Sequence, residues 1–433
     1  MKIKRVAVVF QNNIQFESFI NAVDIMINRG IIVDLFVPIT YSNDGFNIMF
    51  DEFFKKISKS KYNIYREPTD FYYDILFETY YIEQYKNLKR KYTIKYMYGL
   101  TTKPEYSLSL NINYIFDAFL CYGDMDSICL QNYGKTFTIG NIKYLNSKIE
   151  EVEKKNKKKT ILYLPTYSNC CSIEKIGNDI LLLKKHYNII VKPHHGTEYL
   201  TNSLETSRME FLKRNFDKVY SSTDSLEEIM KKCDLVISDL SGAIFDAICL
   251  KKPVITFWEE VNYKYGEFAS LPIQLFEQGY FLTIDSKNKH NLHNIVKKAL
   301  STNYCNKQNE VFNKVFCCNN SDSGKYFSNA LDLIENGAIE DNYYLIHKQV
   351  KNEIDNLKNI QNEYNILTKK YNELNQKNEI LMQDHQLLKE KLYCSNQDID
   401  NLKNEINLLH NSTSWKITKP LRDFKLVIKG KSN

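Results

Sequence analysis

Three polar runs in the middle of the chain carry residue types that hold phosphate, and each directly follows an apolar run. In CDLVISDLSGAIFDAICLKKPVITFW, residues 233–258, Leu235, Val236 and Ile237 lead into Ser238, Asp239, Ser241 and Gly242. Consecutive apolar positions suit a strand buried on both faces of a parallel sheet. The segment Ala243–Leu250 reads as a helix that Ser241 caps, that Lys251 and Lys252 complement at its negative end, and that Pro253 stops. A helix start would then lie at the carboxyl edge of a strand. The amides of Gly242 and Ala243 would offer a seat for phosphate there, with no side chain at Gly242 to hold a ligand off. LPTYS (Leu164–Ser168, with Thr166) and KPHHG (Lys192–Gly196, with His194) also follow apolar runs. Parallel strands present their carboxyl ends along one edge, so the three loops are expected to converge. Lys192 and His194 would stabilise charge on the departing phosphate of a nucleotide diphosphate.

Other clusters point to less chemistry. Asp124-Met125-Asp126 has the form of an acidic metal pair, and His290 and His293 have metal-like spacing on a helix but no third ligand beside them. Both read as ordinary helical positions, and neither a metal nor a cofactor is expected. The ten cysteines form no Cys-x-x-Cys pair and no small disulfide framework, which suits a reducing, cytosolic compartment. The formal charge of +6 is a mild excess, and the α/β segments lack the basic-aromatic patterning of a nucleic-acid binder. The apolar run of the basic N-terminus, MKIKRVAVVFQNN, ends at Phe10 with no cleavage-site pattern after it. No apolar run reaches the roughly 18 residues needed to span a bilayer.

The elements that must position these loops are α/β units. Strand-like runs (VAVVF, IIVDLFVP, YDILF, YTIKYMYG, FDAFLCYG, FTIG) alternate with helical stretches over residues 1–146, and a second alternation fills 160–340. The run SKIEEVEKKNKKK lies between them, and 147–159 reads as a charged linker. Ser225-Leu226-Glu227-Glu228 has the form of a capping box, which starts a helix just before residue 233.

Beyond residue 340 the pattern changes. From Tyr343 and Ile346 to Ile406 and Leu409, apolar residues recur in steps of three and four, so 341–410 is expected to be a coiled coil roughly 100 Å long at ~1.5 Å per residue. Asn378 and His385 fall in the column that holds Val350, Leu357 and Ile406, where a buried polar group fixes register in a parallel dimer. A homodimer through this segment is the expectation; the other arrangement the pattern permits is one helix folded back on the domains. The tail 411–433 sets Lys416, Lys419, Arg422, Lys425, Lys429 and Lys431 beside Trp415, Leu421 and Phe424. That composition suits an anionic membrane surface, or a helix docked on the protein's own body.

The order Tyr-Leu-Pro-Thr-Tyr, then Lys-Pro-His, then STDSLEEIMKKCDLVISDLSGAIFD and KPVITF resembles the CDP-glycerol glycerophosphotransferase family of teichoic-acid and capsule enzymes. The resemblance covers Thr160 to about Trp258, and more weakly Tyr96 to Tyr144. It implies a GT-B architecture: two Rossmann-like domains facing a cleft, with the nucleotide on the second and the acceptor entering between them. It implies transfer of glycerol-phosphate from a CDP-linked donor to a cell-surface glycan or teichoic-acid-like polymer, by a protein peripheral on the cytoplasmic face of the bacterial membrane. His194 would contact the diphosphate, Ser238, Asp239 and Ser241 would line the nucleotide site, and Asp246 would anchor the loop or the nucleotide. The tail STSWKITKPLR is similar to a C-terminal signature of surface-glycan glycosyltransferases. The chain departs from the family in two places. Gly242 stands where a second serine is usual, and Met97-Tyr98-Gly99 replaces the first-domain Trp-His-Gly whose histidine is taken as the base. No histidine precedes His186, so a base from the first domain would be a carboxylate, with Glu105, Glu78, Asp124 and Asp126 as candidates and Asp239 a further catalytic candidate in the second domain. Two alternatives stand beside this reading: a GT-B glycosyltransferase using a UDP- or CMP-sugar in capsule or lipopolysaccharide synthesis, and a non-catalytic scaffold for glycan assembly.

Overall fold

The apolar runs become two parallel sheets. The computed structural model describes residues 1–39, 44–100, 111–147, 158–167, 170–200, 202–259, 275, 278–340 and 342–423. The first sheet is built from β1 (Arg5–Val9), β2 (Ile32–Phe36), β3 (Asn63–Tyr65), β4 (Tyr72–Glu78), β5 (Lys89–Tyr96), β6 (Ala118–Cys121) and β7 (Lys135–Thr138). Its order is β3-β2-β1-β4-β5-β6-β7 with every pairing parallel, the doubly wound arrangement that reverses direction beside the first strand. Helices α1 (Asn13–Asn28), α2 (Asp44–Ile57) and α3 (Asp124–Leu130) connect its strands. The short β3 has no apolar run of its own and escapes the sequence pattern.

The second sheet contains β8 (Thr160–Leu164), β9 (Asn188–Val191), β10 (Leu235–Asp239), β11 (Val254–Phe257) and β12 (Leu282–Ile284), ordered β12-β11-β10-β8-β9 and again parallel. Lys218–Ser222 contributes one isolated bridge, Val191 to Val219, beside β9. Helices α4 (Ile173–Leu182), α5 (His195–Tyr199), α6 (Ser203–Asn215), α7 (Leu226–Lys231) and α8 (Ala243–Cys249) accompany this sheet. From β8 the chain steps outward to β9 and later returns to the other side as β10. The switch point therefore falls between the ends of β8 and β10, where Thr166 and Ser241 sit.

One helix crosses back. Ser323–Glu335 lies in the span assigned from sequence to the second domain, yet Phe327, Ala330, Leu331 and Ile334 are buried in the first sheet's core. The Phe327 ring meets the edge of Phe19 at 5.8 Å, and Phe19 stacks on Tyr96 at 4.3 Å. A stripe at i, i+3, i+4, i+7 announces a buried face; it does not say which sheet the face covers. Both sheets and this helix fall in one compact unit, Met1–Glu353.

The second unit, Ile354–Asn433, is helical through its described residues up to 423. The helix Asn342–Asn411 runs for 70 residues, and in this single chain Leu357, Tyr364, Leu381 and Leu388 on its seam are each more than 60% exposed. Ser412 ends it: its hydroxyl donates to the Leu409 carbonyl at 2.7 Å and accepts from the Trp415 amide at 3.2 Å, which starts the helix Thr413–Ile417. The Trp415 ring is stacked on His410 at 4.9 Å and covered by the Arg422 guanidinium at 3.5 Å, so the tail's tryptophan and one of its cations are packed on each other. Phe424, Lys425, Lys429 and Lys431 lie outside the described residues. Among the described residues no helix is long and apolar enough to cross a membrane.

Candidate active site

A cavity of about 200 Å³ opens at the switch point. Thr166, Lys192, His194, Ser241, Gly242 and Asp246 line it from the second sheet, as their loops were expected to do. Asn13, Ile14, Glu17, Tyr98, Gly99 and Lys143 line it from the first.

The second-sheet side is held by Asp239. Its side chain is fully buried, does not line the cavity, and accepts hydrogen bonds from the backbone amides of Thr166 (2.7 Å) and Ser172 (3.1 Å). A carboxylate that ties the loop after β8 to the end of β10 is a positioning group; the catalytic part expected of it would need contact with the cavity. Ser238 is also buried, donates to the Asp239 carbonyl at 2.9 Å and shares a 3.2 Å hydrogen bond with the Ser241 hydroxyl. Ser241 therefore does not cap α8 as expected. Gly242 is the N-cap residue and no side chain caps the helix, because the serine hydroxyl finds a nearer partner in Ser238. The first bond inside the turn runs from Ile244 N–H to the Ser241 carbonyl at 3.2 Å, which leaves the Gly242 and Ala243 amides ahead of it. A side-chain carbon at Gly242 would come within 3.1 Å of the Leu100 carbonyl, so glycine here lets the first domain's Gly99-Leu100 backbone close against α8. The Ser225 capping box is likewise replaced: Ser225 is the N-cap of α7 without a side-chain bond, and Glu228 pairs with Lys231 at 2.9 Å.

His194 has a fixed tautomer. Its Nδ1 accepts the Gly196 amide at 3.0 Å, which places the proton of the neutral ring on Nε2. The ring stacks on Tyr167 at 4.5 Å and 17°. So held, His194 is a hydrogen-bond donor toward the cavity, suited to an anion. Burial pushes the neighbouring His195 down to about 4, with Lys192 adding to the effect and Glu198 opposing it, so His195 is neutral at pH 7.

Lys192 is less free than expected. It is buried, and its Nζ donates to the carbonyls of Ser221 (3.1 Å) and Ser222 (2.7 Å). Burial lowers it to about 8, against the pull of Glu17, Glu198 and Asp224. A second cation, Lys143, was not foreseen. Its Nζ lies 3.2 Å from Asp246 Oδ1, which also accepts the Tyr144 hydroxyl at 2.8 Å. Burial works against the Lys143 charge, but Asp246 and Glu17 outweigh it and its pKa is raised. Asp246 thus anchors the chain just after β7 to α8.

The remaining candidates fall elsewhere. Glu105 lies outside the described residues. Asp126 is fully buried and accepts the amides of Tyr122 (2.7 Å) and Gly123 (3.0 Å) at the start of α3; burial raises it to about 6 against those bonds. It closes a helix end. Neither Asp124 nor Glu78, which is buried at the end of β4, lines the cavity. His293 packs against His186 at 4.4 Å, and among the described residues no group of three or more His, Cys, Asp or Glu could hold a metal.

Two parallel sheets with a cavity at the switch point of the second form a GT-B architecture. Residues 140–336 match the model of the family described as CDP-Glycerol:Poly(glycerophosphate) glycerophosphotransferase. The fold is similar to two histidine variants of the wall teichoic acid polymerase TagF. One is 14% identical with a TM-score of 0.52, covering 78% of this chain and 90% of that one. The other is 15% identical at the same TM-score and coverage, 0.52, 78% and 90%. A TagF structure soaked with CDPG is 15% identical with a TM-score of 0.50, covering 79% of this chain and 91% of that one. No curated protein matches the chain.

Proposed function

We propose that the chain transfers glycerol-phosphate from CDP-glycerol to a teichoic-acid-like polymer. The observation that carries this reading is that the second-sheet loops lining the cavity, together with Lys143, all lie inside the region matched by the glycerophosphotransferase model. The donor's diphosphate would rest against Ser241, the Gly242 and Ala243 amides, Thr166 and the Nε2–H of His194. An acceptor hydroxyl would attack the glycerol-bearing phosphorus in line, the bond to the bridging oxygen would break, and CMP would leave. Donors already aimed at that oxygen stabilise the charge that gathers there, and positioning supplies most of the remaining rate. The experiment is CMP release by the purified protein with CDP-glycerol and a glycerol-phosphate primer, run beside UDP- and CMP-sugars. Release from CDP-glycerol coupled to primer growth supports the reading; turnover of a sugar nucleotide alone replaces it with the glycosyltransferase.

The Lys192 ammonium would add its charge to the donor site only while protonated. In the unliganded protein it titrates near 8, so affinity for a nucleotide diphosphate is expected to hold steady below pH 8 and to fall as pH rises through it. Calorimetric titrations with CDP-glycerol between pH 7 and about 9.5, an interval chosen around the shift, should show that fall in the wild type and a flat response in Lys192→Met.

The exposed seam of the helix Asn342–Asn411 would be buried by pairing with a second copy, and residues 411–433 would rest on the anionic inner face of the membrane. Sedimentation equilibrium of the whole chain is expected to give a dimer, and removal of 354–433 a monomer. A dimer that survives the truncation would move the interface to the first unit.

A further inference from the structure

The family's usual base is missing here, and the described part of the first domain supplies one carboxylate to the cavity. We infer that Glu17 is the general base that takes the proton of the acceptor hydroxyl; this rests on the glycerophosphotransferase reading above.

Among the described residues three carboxylates line the cavity: Glu17, Asp224 and Asp246. Asp246 is committed to Lys143 and Tyr144, and Asp224 accepts the Ser221 amide at 2.9 Å. His194 presents an N–H, and so donates where a base must accept. Glu17 differs from all of these. One of its oxygens accepts Asn13 Nδ2 at 2.8 Å, and the other carries no hydrogen bond among the described residues. The amide of Asn13 is itself oriented, because Lys56 Nζ donates to its Oδ1 at 2.9 Å and so forces its N–H group toward Glu17. On α1 the side chains at 13 and 17 are one turn apart, so this relay presents the carboxylate at the mouth formed by the helix's first turn.

Position agrees with the chemistry. Glu17 stands on the first domain, lines the cavity together with the loops that would hold the diphosphate, and lies close enough to Lys192 and Lys143 to act on their charge. A second cavity of about 130 Å³ adjoins the first and shares Asn13, Ile14, His195 and Ser222 with it. An acceptor reaching through that opening arrives at Asn13, beside the carboxylate. In the step, the hydroxyl proton passes to Glu17, the acceptor oxygen bonds to the glycerol-bearing phosphorus, and the electron pair of the broken bond leaves on CMP. The proton then returns to solvent.

Glu17→Gln keeps the shape and the Asn13 contact and removes the proton acceptor. A well-placed general base contributes about 10²–10⁴-fold, so kcat is expected to fall by roughly 100-fold or more with CDP-glycerol affinity by calorimetry within about twofold. In Glu17→Ala, added formate should restore part of the rate, a response that loss of folding cannot give. An active wild type matched by Glu17→Gln, with no rescue of Glu17→Ala by formate, overturns the inference alone. A wild type that releases no CMP from CDP-glycerol removes the transferase reading and this inference with it.

Discussion

Asp239→Ala is expected to cost the protein on the order of 3–6 kcal/mol, since hydrogen bonds to a charged group contribute about 1.5–3 kcal/mol each and two would be lost. The Thr166 and Ser172 amides would be left facing a cavity where a carboxylate stood, in a part of the structure closed to water. Function should fail with stability, because the loop after β8 loses its tie to β10 and Thr166 its place at the cavity. Urea denaturation measures the first effect and calorimetry with CMP the second. A variant with unchanged midpoint and unchanged affinity would mean that the switch-point loops hold themselves.

His194→Asn separates chemistry from architecture. An asparagine oxygen can still accept the Gly196 amide, as residues of this type do ahead of helices, so the thermal midpoint should stay close to that of the wild type. The donor at Nε2 is gone, however. Removing one preorganised donor from a developing anion costs about 10²–10³ in kcat, and the same loss is expected for His194→Ala. Rapid-quench measurement of CMP formation at saturating donor checks it; full activity in His194→Asn would show that the side chain serves only to start α5.

Much of this site is legible in sequence because it is local. An apolar run, a Ser-x-x-Ser-Gly break and a short helix before Pro253 fix β10, its loop and α8 with no reference to the rest of the chain. Parallel pairing then brings Thr166, His194 and Ser241 to one edge, a consequence of topology that alternation alone implies. The same holds for the heptads that become one 70-residue helix.

What the sequence hides is long-range or a competition between near-equal partners. Lys143 meets Asp246 across 103 positions, and nothing in IGNIKYL marks that lysine as buried. Glu17 sits in a helix whose apolar stripe explains Phe16 and Phe19 but not which polar side faces a cavity. Ser241 and Ser225 have the form of caps, yet one hydroxyl turns to Ser238 and the other makes no cap bond, outcomes decided by tenths of an ångström. Asp239 resembles a catalytic group because it stands in the signature loop; only its burial shows that it works on the backbone.

The claim beneath all of this is that the loops after β8, β9 and β10 hold the phosphates of a nucleotide. Calorimetry of the full-length chain with CDP-glycerol and with cytidine tests it most directly. The account predicts that CDP-glycerol binds one per chain, that cytidine without its phosphates binds at least about 100-fold more weakly, a difference of about 2.7 kcal/mol, and that His194→Asn narrows the gap. Equal affinity for the two ligands, or a gap untouched by that substitution, would contradict it.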